Sequence, residues 1–256
     1  MIDWGALTLF LYITMRMAGF ILFNPILGRS TFPGLFRVGF TMTLAVAVYS
    51  AYGGTAEAPA AMLEYVVRLL LELGIGFVVG MMMRFFLYIP EQAGEIIDTQ
   101  MGMSMAKNYD PSAHSSLTTS ATLLNLLMVL LFFAANGHLT LLRLMLTSGE
   151  IVPFGTAAFG VNIAEHMAEL FLECTLLSIK LSLPILAAEL MGQVGMGILM
   201  KAIPQINVFA INIELKVLIG LLLLLFLLAP ISDFLMEVEM DMLAEVRQLL
   251  ALSGGG

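Results

Sequence analysis

The chain has 256 residues, 60% of them hydrophobic and 12% charged, with a mean hydropathy of +0.97. Soluble domains carry about 25% charged residues, so this composition excludes a water-soluble fold and intrinsic disorder, and it accommodates about six apolar spans of roughly 20 residues. A net charge of −8 with 11 Lys+Arg argues against a nucleic-acid partner, because phosphate contacts need clustered cations.

In chain order, the first predicted span is Trp4 to Leu27, interrupted only by Arg16. Met1-Ile2-Asp3-Trp4 has no positive n-region, so this stretch reads as a retained span and not a cleaved signal. A loop carrying Arg29, Pro33, Gly34 and Arg37 leads to a second span, Val38 to Tyr52, closed by Gly53-Gly54. Arg29 and Arg37 place that loop on the cytoplasmic side by the positive-inside rule. The third span, Tyr65 to Ile89, holds Arg68, Glu72 and Arg84, and Pro90 is expected to stop or kink it. Glu91 to Thr119 is the least hydrophobic part of the chain, and Ala121 to Leu142 is a fourth span.

The later half is choppier. Ile151 to Ile163 is short and carries Pro153 and Gly155. Leu170 to Met200 has a helical pattern broken by Pro184 and punctuated by Gly192, Gly195 and Gly197. Pro204 separates it from Val208 to Leu228. Pro230 then precedes an acidic amphipathic tail in which Glu237, Glu239, Asp241 and Glu245 alternate with Met240, Leu243 and Leu249.

Charges inside these stretches need partners, since each costs roughly 2.5–3.5 kcal/mol at a bilayer centre. The candidates are Arg16, Arg68, Glu72, Arg84, Glu173, Lys180, Glu189, Lys201 and Lys216. Arg68 and Glu72 stand i,i+4 on one helix face, and Glu173 and Lys180 share a face seven residues apart. Glu169 and Glu173 are like charges with no local cation. Either these groups mark an ion or proton pathway, or their helices pack against other subunits that neutralise them. Irregular backbone in lipid leaves unpaired polar groups, which favours burial in protein. Gly76-x-x-x-Gly80 and Ala188-x-x-x-Gly192 are small-residue pairs that allow close helix packing.

No constellation suggests catalysis. Cys174 is the single cysteine, and His114, His138 and His166 are scattered without zinc-ligand spacing, so no metal or cofactor site is nominated. Gly192 to Gly197 lacks the lysine of a phosphate loop, and Gly74-x-Gly76 follows no strand. In the polar segment, Met101, Met103 and Met105 alternate before Tyr109-Asp110-Pro111. Methionines there are either a deformable apolar seal or ordinary gap fillers, and spacing alone favours the second. Pro90, Ala93, Glu95 and Lys107 recur 94 positions later as Pro184, Ala187, Glu189 and Lys201, a faint internal repeat of a kind common in membrane proteins.

Arg16-x-x-Gly19, Pro25, Pro33-Gly34-x-x-Arg37, Gly94-x-x-x-Asp98-x-Gln100-x-Gly102, Asp110-Pro111 and Pro204-Gln205-Ile206-Asn207-Val208-Phe209 occur in this order. Over nearly the whole chain the sequence resembles the FliR/SctT family of type III secretion export gates, more closely its flagellar branch. The resemblance implies an all-α polytopic membrane protein of packed helical hairpins with Pro/Gly-broken helices. It implies a FliP-like part, about 1–165, followed by a FliQ-like part, about 166–256, within one integral-membrane domain. It implies assembly in the bacterial inner membrane, in the flagellar basal body, with FliP-like, FliQ-like and FlhB-like subunits. Unfolded flagellar subunits would pass through their channel, with no enzymatic step in this chain. The loop matching Met105 to Thr119 would act as a plug, making Met105, Tyr109, Asp110 and Pro111 plug candidates with Met101 and Met103 nearby. One departure is Glu214, where the family commonly has a proline. The competing readings are a self-contained ion-coupled transporter with Glu173, Lys180 and Glu189 as relay, and a scaffold without a channel.

Overall fold

The structure, a computed structural model, describes residues 4–28, 33–56, 59, 61–103, 118–157, 160–202 and 208–253. Among them are eight α-helices and no strand. These are α1 (Trp4–Phe23), α2 (Gly34–Tyr52), α3 (Met62–Met101), α4 (Thr119–Ala134), α5 (Gly137–Ile151), α6 (Val161–Ala202), α7 (Val208–Phe226) and α8 (Leu228–Ser253). Four are long and apolar enough to cross a membrane, or up to six spans if each of two bent pairs counts as one. The chain is an all-α polytopic membrane protein.

Two compact units form. The first comprises Met1–Phe86, Phe132–Phe171 and Glu239–Gly256, the second Leu87–Leu131 and Leu172–Val238. In the first unit, α1 buries Leu9, Tyr12, Ile13, Arg16, Met17 and Phe20. Their spacing of three and four is one helix face, which α1 turns inward against its neighbours. Asn24 ends that helix: its Oδ1 accepts the amides of Ile26 and Leu27, both at 2.9 Å, and Pro25 cannot extend the ladder. The helix therefore stops four residues before the expected Leu27. α2 packs on α1 and on α5, burying Thr41, Leu44, Ala45 and Val48.

α1 and α3 cross backbone to backbone. A Cβ on Gly19 would overlap the Leu73 carbonyl, and one on Gly76 would overlap the Arg16 carbonyl and the Phe20 amide. Gly80 continues this approach at Phe23 and Asn24. No other residue lets the two helices come this close.

The prolines do not break the helices as expected. Pro90 lies inside the 40-residue α3, and Pro184 inside the 42-residue α6. Apolar surroundings leave the backbone no water to bond with, so a helix that loses one bond at proline still keeps the rest. The helix ends fall elsewhere. Asn136 adopts a left-handed φ of 60° and divides the expected fourth span into α4 and α5, which are inclined by 66°. A second bend of 61° separates α7 from α8, with Pro230 tolerated in the first turn of α8 where its missing amide has no partner to lose. Within the expected short span from Ile151 to Ile163, residues 152–157 form a non-helical strap instead. Pro153 cannot donate there, Gly155 takes φ +85°, and α6 begins only at Val161.

Replacing Gly76 by Val inserts atoms where backbone stands. We expect the melting midpoint of the detergent-extracted protein to fall, by a destabilisation of about 3 kcal/mol, the upper end for overpacking. The same change at Gly39, beside which no atom lies within 4 Å, leaves the midpoint near wild type and serves as control.

Candidate functional site

Arg16 lies on the inward stripe of α1, so its guanidinium is held in the core of the first unit, where it is 1% exposed. Its Nε donates to Glu72 Oε2 at 2.7 Å, and Glu72 is itself fully buried. Its Nη1 donates to the carbonyls of Ser148 at 3.1 Å and Val152 at 3.0 Å. The Phe154 ring lies 4.2 Å from the guanidinium carbon, close enough for a desolvated cation–π contact, and Tyr52 meets the other rim of that ring edge-on. Glu72 uses its second oxygen to accept the Gly155 amide at 2.7 Å. The ion pair thus bonds the backbone of the strap at both Val152 and Gly155.

This differs from the pairing expected along α3. Glu72 turns to Arg16, while Arg68 pairs with Glu64 at 2.5 Å and reaches the Gly155 carbonyl at 3.4 Å. An i,i+4 ion pair on a solvated helix is worth only a few tenths of a kcal/mol, too little to compete with a buried partner. Phe154 and Ser148 were not singled out in the sequence, although Pro153 and Gly155 flagged the irregular backbone on either side of Phe154.

In the second unit, Asp98 is fully buried near the C-terminal end of α3. Its Oδ2 accepts the Ser120 amide at 2.8 Å and its Oδ1 the Ser120 hydroxyl at 2.5 Å. One turn earlier, a Cβ on Gly94 would overlap the backbone of Ala121, and Asn125 Nδ2 donates to Glu91. Gln92 accepts a bond from Ser178 on α6 at 2.7 Å. Residues 91, 94 and 98 form one face of α3, so α3 and α4 are joined along a polar seam at the two ends of the polar segment. The side chain of Met101 is fully buried and packs over Gly220 on α7, and Met103 is half-buried. Met105, Tyr109, Asp110, Pro111 and the Pro204 to Asn207 motif lie outside the described residues.

The remaining charges do not converge. Glu173, Lys180 and Lys201 are exposed, as is Arg84, and none of the four forms an ion pair among the described residues. Glu189 is buried, with Lys216 as the cation acting on it. Glu173 and Glu189 stand 16 residues apart on one helix, which is about 24 Å at 1.5 Å per residue, too far for a single relay site. Ala188 and Gly192 are half-buried on α6, with Gly192 facing Ile219 of α7. A groove of about 540 Å³ in the first unit, lined by Phe77, Met81, Phe85, Ile163, Met167 and Phe171, presents almost no polar group that could orient a substrate.

The buried pair gives a directional test. Arg16→Ala strands Glu72 without its cation and should destabilise the chain by about 3–5 kcal/mol in thermal melts. Replacing both partners together by Met and Leu should recover only part of that loss, because the desolvation of two ions disappears but the Val152 carbonyl and the Gly155 amide lose their partners.

Residues 7–241 match the family described as bacterial export proteins, family 1. The flagellar biosynthetic protein FliR of Escherichia coli strain K12 is 27% identical, over 96% of this chain and 95% of its own length. The protein of that name from Bacillus subtilis strain 168 is 25% identical over the same shares. The Yop proteins translocation protein T of Yersinia pestis is 29% identical over 85% of this chain and 84% of its own. With the match running from α1 into α8, through the glycine crossing, the Arg16–Glu72 pair and the Asp98–Ser120 seam, this chain belongs to family 1 of the bacterial export proteins and is a membrane-embedded component of a type III export apparatus.

Proposed function

We propose that the chain is a non-enzymatic subunit of the flagellar export gate in the bacterial inner membrane. With FliP-like and FliQ-like subunits, and joined by an FlhB-like one, it forms the channel through which unfolded flagellar subunits cross. Its FliP-like part covers about 1–165 and its FliQ-like part about 166–256. The observation that carries this reading is the charge left on outward helix faces. Arg84, Glu173 and Lys180 are exposed on α3 and α6 beside exposed Tyr88, Leu172, Leu176 and Leu183, with no ion-pair partner among the described residues. Each such charge facing lipid costs roughly 2.5–3.5 kcal/mol, whereas a neighbouring subunit supplies counter-charges and hydrogen bonds. The near full-length likeness to the two FliR proteins favours the flagellar branch.

In this channel, the segment containing Met105, Tyr109, Asp110 and Pro111 is the plug. Methionine and tyrosine side chains make a seal that is apolar enough to exclude ions and soft enough to yield to a passing chain. The transporter reading requires Glu173, Lys180 and Glu189 to share one site, and the first two face outward while the third is buried.

Two measurements test this. Native mass spectrometry after co-expression with FliP-like and FliQ-like partners should give one large hetero-assembly containing this 27.8 kDa chain, and a monomer indifferent to those partners refutes the gate. Deleting Met105 to Asp110 should raise the ion conductance of bilayers holding the assembled gate. A deletion that leaves conductance unchanged removes the plug assignment and leaves the assembly result standing.

A further inference from the structure

A second buried carboxyl in the first unit lacks what Glu72 has. Glu239 on α8 is 1% exposed, and neither of its oxygens has a hydrogen-bond partner among the described residues. It rests against the corner between α4 and α5, where a Cβ on Gly137 would overlap both Glu239 Oε1 and the Phe132 ring. The first turn of α5 lies there, yet its N-cap Asn136 makes no side-chain bond and no amide of α5 donates to the carboxyl. Glu239 therefore does not cap that helix. No cation is close enough to act on it. On α8 the neighbouring Glu237 and Asp241 are exposed, and α4 brings only Phe132 and Phe133 to this corner. α5 brings His138, with exposed Arg143 more than a turn further on. His138 has an orphan of its own. Its Nδ1 is buried without a partner, while the residue as a whole is half-buried, which leaves Nε2 toward the outside of the unit.

An ionised carboxylate without donors in an apolar interior is so costly that such a group ordinarily takes up a proton instead. We propose that Glu239 is a proton-binding site and that His138 is the side chain through which its proton enters and leaves. Histidine suits this task because its two nitrogens can face different surroundings. Nε2 takes a proton from solvent and Nδ1 releases one to a Glu239 oxygen. One N–H bond forms, the other breaks, an O–H bond forms on the carboxyl, and the imidazole ends neutral in its other tautomer. One exchange thus accounts for every orphaned polar atom at this corner. It draws on neither the Arg16–Glu72 pair nor the assembly of a channel.

The test uses the full chain in detergent. The infrared difference between wild type and Glu239→Gln at neutral pH should contain the C=O stretch of a protonated carboxyl, which shifts in D2O. Carboxylate bands in its place, as a bound cation would give, overturn the site. Thermal melts report the same proton. The folded chain keeps a proton that an ordinary glutamate in the unfolded chain has released above about pH 5. Its stabilising effect is therefore complete in acid and fades as pH rises, by up to roughly tenfold in the unfolding constant per pH unit. Glu239→Gln matches the neutral acid in shape and lacks that dependence, so the wild-type midpoint should fall relative to the variant's as pH rises. A gap between the two that stays constant with pH also overturns the site. Glu237→Gln, on an exposed position of the same helix, should change neither readout. For His138 the readout is the rate at which the carboxyl band shifts after transfer into D2O. His138→Phe should slow that exchange roughly tenfold or more, and imidazole in the buffer should restore it. Exchange as fast as wild type in His138→Phe overturns the relay.

Discussion

A guanidinium taken out of water needs partners, and in the first unit Arg16 finds them at Nε and Nη1 in Glu72 and in backbone carbonyls that would otherwise be stranded. The strap after α5 cannot be helical, because Pro153 has no amide to give and Gly155 sits at a left-handed φ. Its carbonyl at Val152 and its amide at Gly155 would be orphans in an apolar interior, each a loss comparable to a missing hydrogen bond. Arg16 takes the first and Glu72 the second. The ion pair and the strap are thus each other's solvent. Neither would be tolerated alone, and α1, α3 and α5 are held in one arrangement by the requirement that both be satisfied.

The glycine crossing of α1 and α3 is the steric half of the same arrangement. Arg16 and Gly19 lie one turn apart on α1, and Glu72 and Gly76 one turn apart on α3. Backbone contact at the glycines brings Arg16 Nε within 2.7 Å of the carboxylate. A wider crossing would leave that bond unmade and the charges to be solvated by something else.

The class of the protein, the places of its first three helices and the need to pair its charges were all legible from hydropathy and spacing. What was not legible follows from one cause. Local rules assume that a helix ends where its backbone weakens, but in an apolar interior ending a helix costs more than bending one, so α3 and α6 run through Pro90 and Pro184. One break comes instead where a residue adopts a left-handed conformation, between α4 and α5. Asn136-Gly137 carried that signal inside a run of leucine and phenylalanine whose hydropathy hid it. Pairing by sequence spacing misled at Glu72, because i,i+4 neighbours say which residues can meet on one helix and nothing of what waits on another. The Gly94 and Asp98 spacing was recognised as a motif, but its meaning lay in a serine 22 residues further on, which no single helix face contains.

The length of the two proline-bearing helices bears on how such a chain is accommodated by a bilayer. At 1.5 Å per residue, the 40 residues of α3 and the 42 of α6 extend about 60 Å, twice a hydrocarbon core of roughly 30 Å. No modest tilt absorbs a twofold excess. About half of each helix must therefore stand in a headgroup, aqueous or protein environment, although its composition is that of a membrane span. Mean hydropathy thus overstates how much of this protein lipid can cover. The surplus is a length of greasy helix that needs other polypeptide around it before the molecule can persist outside the bilayer plane.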